Sequence, residues 1–274
     1  MTSNPFRFAL QATPQDGDQW LATARQAEDL GFSSLLMPDG TQLLSPLPAL
    51  ALAAGATSSL HVGTWVLSSP LRPPRLAAWD AHTISVLTGG RFELGIGTGR
   101  PEALGQSERL LERPAPDGTQ RRALVGQTID ELRRLDEDLH TPVLMAAAGP
   151  KAIALAAAKA DIITVAVGPL ATRDEVAAMV ANARQAAGTR AGQLEFAAPL
   201  FAIGDEAPPW LARAIQVDYG TLVANDSLAI LRGTPQEMAD ELQRRREVTG
   251  ISYLSVNGAF AEQFAPVVEL LAGR

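Results

Sequence analysis

A (β/α)8 barrel is the fold class that this sequence predicts, and three observations predict it. Short apolar strands alternate with helix-length amphipathic stretches eight times along the chain, the pattern of right-handed crossovers and a parallel sheet. At 274 residues with 46% hydrophobic content, the chain has the length and core of one such barrel, which commonly runs to about 250 residues. Residues 1–274 therefore read as a single domain. The competing open, doubly wound sheet would carry a glycine fingerprint after its first strand, and Gln11-Ala12-Thr13-Pro14 has none.

The elements follow in order. Phe6 to Gln11 reads as the first strand, and Trp20, Leu21, Ala24, Ala27 and Leu30 mark one face of a helix from about 18 to 30 that Gly31 stops. Ser34 to Met37 is a short second strand ending at Pro38-Asp39-Gly40. A helix over 47–56, a strand over 61–67 and a helix over 75–87 repeat the unit. The fourth strand lies in Gly89-Gly90-Arg91-Phe92-Glu93-Leu94-Gly95-Ile96-Gly97-Thr98-Gly99-Arg100, and residues 99–118, rich in Pro, Gly and Arg, read as a long irregular loop over the barrel mouth. Then come a helix over 122–135, a strand over 143–147, a helix over 150–159, a strand over 162–167, a helix over 173–187 and a seventh strand over 194–203. One or two helices fall within 208–231, and Thr234-Pro235 starts the next helix, Thr234 as cap and Pro235 in the first turn. That helix runs to about 248; an eighth strand over 253–257 and a helix over 261–271 complete the count.

The fourth strand carries the strongest local signal. Phe92, Leu94 and Ile96 alternate with Glu93, Gly95 and Gly97, so one face is bulky and the other nearly bare. Glycine weakens a strand, so its repetition at 95, 97 and 99 implies close approach to the backbone. A flat ring or a phosphate would do this, and so would interdigitating barrel side chains.

Residues just past each strand share the barrel mouth. This rule selects Gln11, Asp39, Leu67, Ser68, Thr98 to Arg100, Ala147 to Lys151, Gly168 and Asn257. Among them Ala147-Ala148-Gly149-Pro150-Lys151 joins a strand to a helix, where free backbone N–H groups and the helix dipole suit a phosphate; an ordinary strand-to-helix turn is the alternative.

Several blocks together resemble the bacterial luciferase-like family: the signature strand, Ala27-Glu28-Asp29-Leu30-Gly31-Phe32, Met37-Pro38-Asp39, Val62-Gly63-Thr64, Arg72-Pro73-Pro74, Ala147-Ala148-Gly149-Pro150 and Ala160-Asp161. The resemblance covers most of residues 6–166 and implies an oxidoreductase using coenzyme F420, with FMN the alternative. It implies cofactor contacts at Asp39, Trp65, Val66, Ser68, Gly97, Thr98, Gly99, Ala148, Gly149 and Lys151, with a non-proline cis peptide at Trp65-Val66 beneath the ring. It also marks departures. Gly40 stands where some relatives hold a proton-donating histidine, and Arg100 where others hold a glutamate, leaving Arg100 and Glu102 as the catalytic candidates. A luciferase-like monooxygenase and a catalytically silent, cofactor-binding barrel remain the other readings. The family's usual assembly implies a homodimer.

Composition excludes several classes. A net charge of -7 argues against nucleic acid. With no cysteine, thiol nucleophiles, disulfides and thiolate metals are ruled out. His61, His82 and His140 show no paired metal-ligand spacing, so no metal is expected, and no Gly-x-Ser-x-Gly elbow points to a hydrolase. No apolar run approaches about 18 residues, so a cytoplasmic protein acting on a small molecule, off the membrane, is the expectation.

Overall fold

The computed structural model describes residues 4–274. The chain runs β1 (Arg7–Gln11), α1 (Gly17–Asp29), β2 (Ser34–Met37), α2 (Pro46–Gly55), β3 (His61–Thr64), β4 (Leu67–Ser68), α3 (Pro74–Leu87) and β5 (Phe92–Gly97). It continues with α4 (Pro101–Leu111), α5 (Gly118–Asp136), β6 (Val143–Ala147), α6 (Pro150–Lys159), β7 (Ile162–Val165), α7 (Arg173–Ala187), β8 (Glu195–Leu200) and β9 (Ala202–Ile203). Last come α8 (Leu211–Ile215), α9 (Tyr219–Ala224), β10 (Ile230–Leu231), α10 (Pro235–Thr249), β11 (Tyr253–Asn257) and α11 (Ala261–Leu271).

Every strand pairing is parallel, and the ring closes where Val62 of β3 meets Phe92 of β5 and where β1 lies against β11. Around the barrel the order is β11, β1, β2, β3, β5, β6, β7, β8, with β4 a short continuation of β3 along β5. The expected (β/α)8 barrel is what forms.

Three boundaries differ from expectation. The mouth segment 99–118 is not irregular: Pro101 to Leu111 is helix α4, with Pro101 in the first turn, where its missing N–H costs nothing, and with Ala103 and Ser107 buried on one face. The third strand breaks after Thr64, because the chain turns inward at Trp65 and Val66 before resuming as β4. The seventh strand stops at Leu200, and Ala202-Ile203 pairs instead with Ile230-Leu231 in a two-stranded ladder that holds the 204–229 excursion, whose helices are α8 and α9. Thr234 caps α10 as expected, its side chain accepting the Glu237 N–H, with Pro235 in the first turn.

The period-two alternation sorts each strand into two faces. Phe92, Leu94 and Ile96 join the large core between barrel and helices, while Ala9, Leu36, Leu144, Ile162, Ala197 and Tyr253 form a separate cluster inside the lumen. The end of the lumen away from the mouth is polar. Arg7 donates to Glu93 at 2.8 Å and to both oxygens of Glu195 at 3.1 and 2.8 Å, and its guanidinium stacks 4.1 Å over the Tyr253 ring. Glu93 also accepts from the Tyr253 hydroxyl at 3.0 Å and from Ser34 at 3.3 Å. Burial, reinforced by Glu93, pushes the Tyr253 hydroxyl well above its ordinary range, so it remains a donor.

On the outer surface, Glu28 of α1 ties down the loop leading to β3. One carboxylate oxygen accepts the backbone N–H groups of Ser58, Ser59 and Leu60 at 2.9, 2.6 and 3.0 Å, together with both serine hydroxyls. These bonds, the Ser59 N–H foremost, lower its pKa from 4.5 to about 2. A carboxylate whose pKa falls on folding contributes stability that is fully present above the unfolded value and lost as pH drops through the folded one. Thermal melts at pH 6 and pH 2.5 are therefore expected to differ less in Glu28→Gln than in the wild type, by about 1 kcal/mol, the usual worth of such a cap.

Candidate active site at the barrel mouth

The bare face of β5 points into the lumen, and the chain itself fills it. A Cβ built on Gly95 would sit 1.7 Å from the Thr64 carbonyl oxygen, and one on Gly97 would sit 3.0 Å from Val66. The inward turn of residues 64–66 is thus seated on the glycines, and the Thr64 hydroxyl locks it by donating to the Gly95 carbonyl at 2.6 Å. Of the two readings of the glycine face, interdigitation of barrel residues accounts for Gly95. Trp65 and Val66, joined by a non-proline cis peptide, are half-buried and form the floor of the mouth.

Asp39 lies at the rim, but its carboxylate is engaged within the protein. Both oxygens take a forked pair of bonds from Arg72, at 2.7 and 3.0 Å, and one also accepts the Ser68 backbone N–H at 2.9 Å. Its side chain is 2% exposed. A planar guanidinium matched to a carboxylate is a rigid link, and here it ties the exit of β2 to that of β4. Ser68 is buried in the same contact.

Thr98 and Gly99 form the turn leaving β5. Gly99 has a φ of +79°, and a Cβ there would press on Pro70 and Ala103 at 3.1 and 3.3 Å. Arg121, from the first turn of α5, holds this turn by donating to the Thr98 and Gly99 carbonyls at 3.3 and 3.2 Å. Arg100 caps α4 and Glu102 lies in its first turn; both are exposed. Farther along α4, Gln106 accepts the Thr41 N–H at 3.2 Å and donates to Gln42 at 2.6 Å, bridging α4 to the loop after β2. Arg121 and Gln106 are missed by the sequence reading, and Arg72 enters it only within a resembling block, since an arginine or glutamine carries no local signal of the carbonyl or carboxylate it will meet.

The start of α6 is open. Gly149 is the cap, with no side chain bonded to the helix end, and a Cβ on it would meet nothing within 4 Å. Ala148, Gly149 and Lys151 are exposed, and Ala166 and Gly168 beside them at the exit of β7 are exposed too. The Lys151 N–H has no protein acceptor among the described residues. A helix start left free, next to a lysine, is a place for an anion of phosphate type. Beside it stand the small residues Gly97, Ala146 and Ala148, with the Val66 side chain seated on Gly97, and the donors at the helix start suit an anionic tail.

A small apolar cavity of about 60 Å³ lies elsewhere, lined by Val165, Val167, Ala198, Leu242, Arg245 and Ile251. It sits between the barrel wall and α10, outside the lumen. No convergent set of polar groups faces it, because Arg245 is spent on Glu241 and on the Leu228 and Ile230 carbonyls. Of the residues named at the strand exits, only Gly168 also lines this cavity. Among the described residues no helix is long and apolar enough to cross a membrane, and no three of His, Asp or Glu converge as a metal would require.

Comparison with known proteins agrees with this architecture. A family model described as luciferase-like monooxygenase matches residues 1–105. Proteins of Mycobacterium bovis and Mycobacterium tuberculosis, described only as uncharacterized, are each 27% identical over 116 residues, 34% of this chain and 40% of theirs. The match thus spans well under half the length of those relatives. Over the whole barrel, an F420-dependent secondary alcohol dehydrogenase in complex with an F420-acetone adduct superposes with a TM-score of 0.75 at 15% identity, covering 97% of this chain and 98% of that one. The coenzyme F420-dependent tetrahydromethanopterin reductase of Methanopyrus kandleri gives 0.73 at 16%, covering 98% of each chain. The EDTA monooxygenase of Chelativorans gives 0.75 at 12%, covering 97% and 94%. These likenesses establish the (β/α)8 barrel fold along the chain.

Proposed function

We propose that this luciferase-like barrel is an oxidoreductase that binds coenzyme F420 across its strand C-terminal ends and exchanges a hydride with a small organic molecule. The observation that carries the reading is the uncapped, exposed start of α6, where a Cβ on Gly149 would meet nothing within 4 Å. Ala148, Gly149 and Lys151 would hold an anionic tail, and Trp65, Val66 and Gly97 would form the floor beneath a ring. Thr98 and Gly99, fixed by Arg121, shape one rim, while Asp39 acts through Arg72 and Ser68 to fix the other. When bound, the deazaflavin supplies two-electron hydride chemistry, and the protein supplies orientation and exclusion of water. Arg100 can bind an anion but cannot serve as a base at ordinary pH; Glu102 is the only carboxylate in the first turn of α4 available to carry a proton.

Two F420-named neighbours support the deazaflavin, and the monooxygenase family model supports FMN as the alternative. A second reading, a catalytically silent cofactor-binding barrel, is favoured by one specific arrangement: Gly40 and Arg100 replace the proton-carrying residues while Asp39 is fully engaged by Arg72. Parallel fluorescence titrations with F420 and FMN test the proposal. Saturable F420 binding that weakens in Asp39→Ala, which frees Arg72 and unpins the rim, supports it. Tight FMN binding shifts the reading to the monooxygenase branch. Binding of neither removes it, and F420 binding without turnover of any hydride donor or acceptor leaves the silent barrel.

The same reading includes a homodimer. Leu52 on α2 and Leu76, Trp79, Val86 and Leu87 on α3 are 44–78% exposed on neighbouring helices, a patch that a monomer would leave in water. Trp79→Asp is expected to convert a dimeric elution to a monomeric one at micromolar concentration, read by analytical ultracentrifugation; an unchanged sedimentation coefficient places the interface elsewhere.

A further inference from the structure

We infer that Gln11, Ser255 and Asn257 form a neutral hydrogen-bonding notch that receives the substrate through an uncharged carbonyl or amide group. β1 and β11 pair in register, Ala9 opposite Ser255 and Gln11 opposite Asn257. Because Ala9 and Tyr253 face the lumen, Ser255, Gln11 and Asn257 do as well. Ser255 is 1% exposed and its hydroxyl has no hydrogen-bond partner. A buried hydroxyl left without a partner is costly and calls for one. It lies one layer below the mouth, beside the small side chain of Ala9 and the ring of Pro199.

Above it, the two carboxamides are half-buried. The Asn257 carbonyl oxygen is committed to the Ala259 N–H at 3.0 Å, which leaves its amide N–H groups as donors, and the Gln11 side chain bonds to no other described residue. The exits of these strands are pressed together, with a Cβ on Gly258 only 3.2 Å from the Gln11 carbonyl. Residues 11–15 and 257–260 carry no charge. A ligand met only by amides and a hydroxyl pays less to desolvate when it is itself neutral.

Position in the ring identifies the ligand. In the strand order, β1 lies across from β6 and β11 across from β5. The notch therefore faces the open α6 start across the mouth, on the side away from the anion site, and the substrate assignment rests on the cofactor tail occupying that anion site. The substrate class is an uncharged ketone, lactam or carboxamide rather than a carboxylate or phosphate ester.

The test uses the whole protein, with and without F420, and three probes followed by saturation-transfer NMR: 2-pyrrolidinone, cyclopentanone and cyclopentanecarboxylate. Saturable binding of the two neutral probes, with the anion at least tenfold weaker, is expected. Gln11→Leu and Ser255→Ala should each weaken 2-pyrrolidinone about tenfold. Asn257→Asp keeps the carbonyl cap and loses the donors, and should weaken it similarly with an unchanged thermal melt. F420 affinity should stay within twofold in all three variants. Equal binding of the anion, or neutral binding indifferent to the variants, overturns the notch. A tenfold fall in F420 affinity instead assigns these residues to the cofactor and overturns the substrate assignment. Failure of F420 to bind while 2-pyrrolidinone still depends on Gln11 leaves the notch standing and removes the oxidoreductase reading.

Discussion

Gly149→Asp is expected to lower F420 affinity on the order of 100-fold, equivalent to about 2.7 kcal/mol, while leaving the protein as stable as before or more so. The two effects have one origin. Gly149 caps α6 with a φ of -87° that any residue can adopt, and a Cβ there meets nothing. An aspartate at this helix cap can bond the free Lys151 N–H and suits the helix dipole, a gain of a few tenths of a kcal/mol over glycine. The same carboxylate occupies the donors that a phosphate would use and repels it. Fluorescence titration beside a thermal melt reads both, and Lys151→Ala, which removes one exposed charge, is expected to cost about fivefold. Undiminished affinity in Gly149→Asp would move the cofactor tail away from α6.

The second large effect is on stability. Arg7→Met should destabilise the protein by about 3–5 kcal/mol, because it strands Glu93, 2% exposed, without its counter-charge. A fall in melting temperature of roughly 10 °C corresponds to this for a domain of such size. The double variant Arg7→Met/Glu93→Gln should recover most of the loss, since a neutral amide can still accept from Tyr253. Absence of recovery would mean that Arg7 acts through its stacking on Tyr253 and its bonds to Glu195 instead. Because this cluster lies at the far end of the lumen, F420 binding should not follow the stability change.

The barrel and most of its elements were legible in the chain because period-two strands and capped helices are local patterns. Thr234-Pro235 is an example: cap, proline and reciprocal glutamate are adjacent in sequence. Helix α4 was not legible, since a Pro, Gly and Arg-rich composition suggests a loop, and the burial of Ala103 and Ser107 and the Gln106 bridge to Thr41 and Gln42 are tertiary contacts that no local pattern announces. The site was legible by position rather than by contact. The mouth rule points to Asp39, Ser68 and Gly149 through their places after strands, yet Asp39 is held by Arg72, 33 residues away, a pairing that no spacing announces. The glycine face implied close approach without saying of what, because a backbone carbonyl and a ring ask the same absence of a side chain.

That glycine face also bears on how the chain tolerates changes of length. With the Thr64 carbonyl 1.7 Å from where a side chain on Gly95 would begin, the connection from His61 to Ser68 is keyed to one position on its neighbour. Inserting or deleting a single residue there would carry the carbonyl off the glycine and present Asp39 with a different N–H. Variation in length should therefore be confined to the 204–229 excursion and the loops flanking α4, whereas this connection can be diversified only by substitution at Trp65 and Val66.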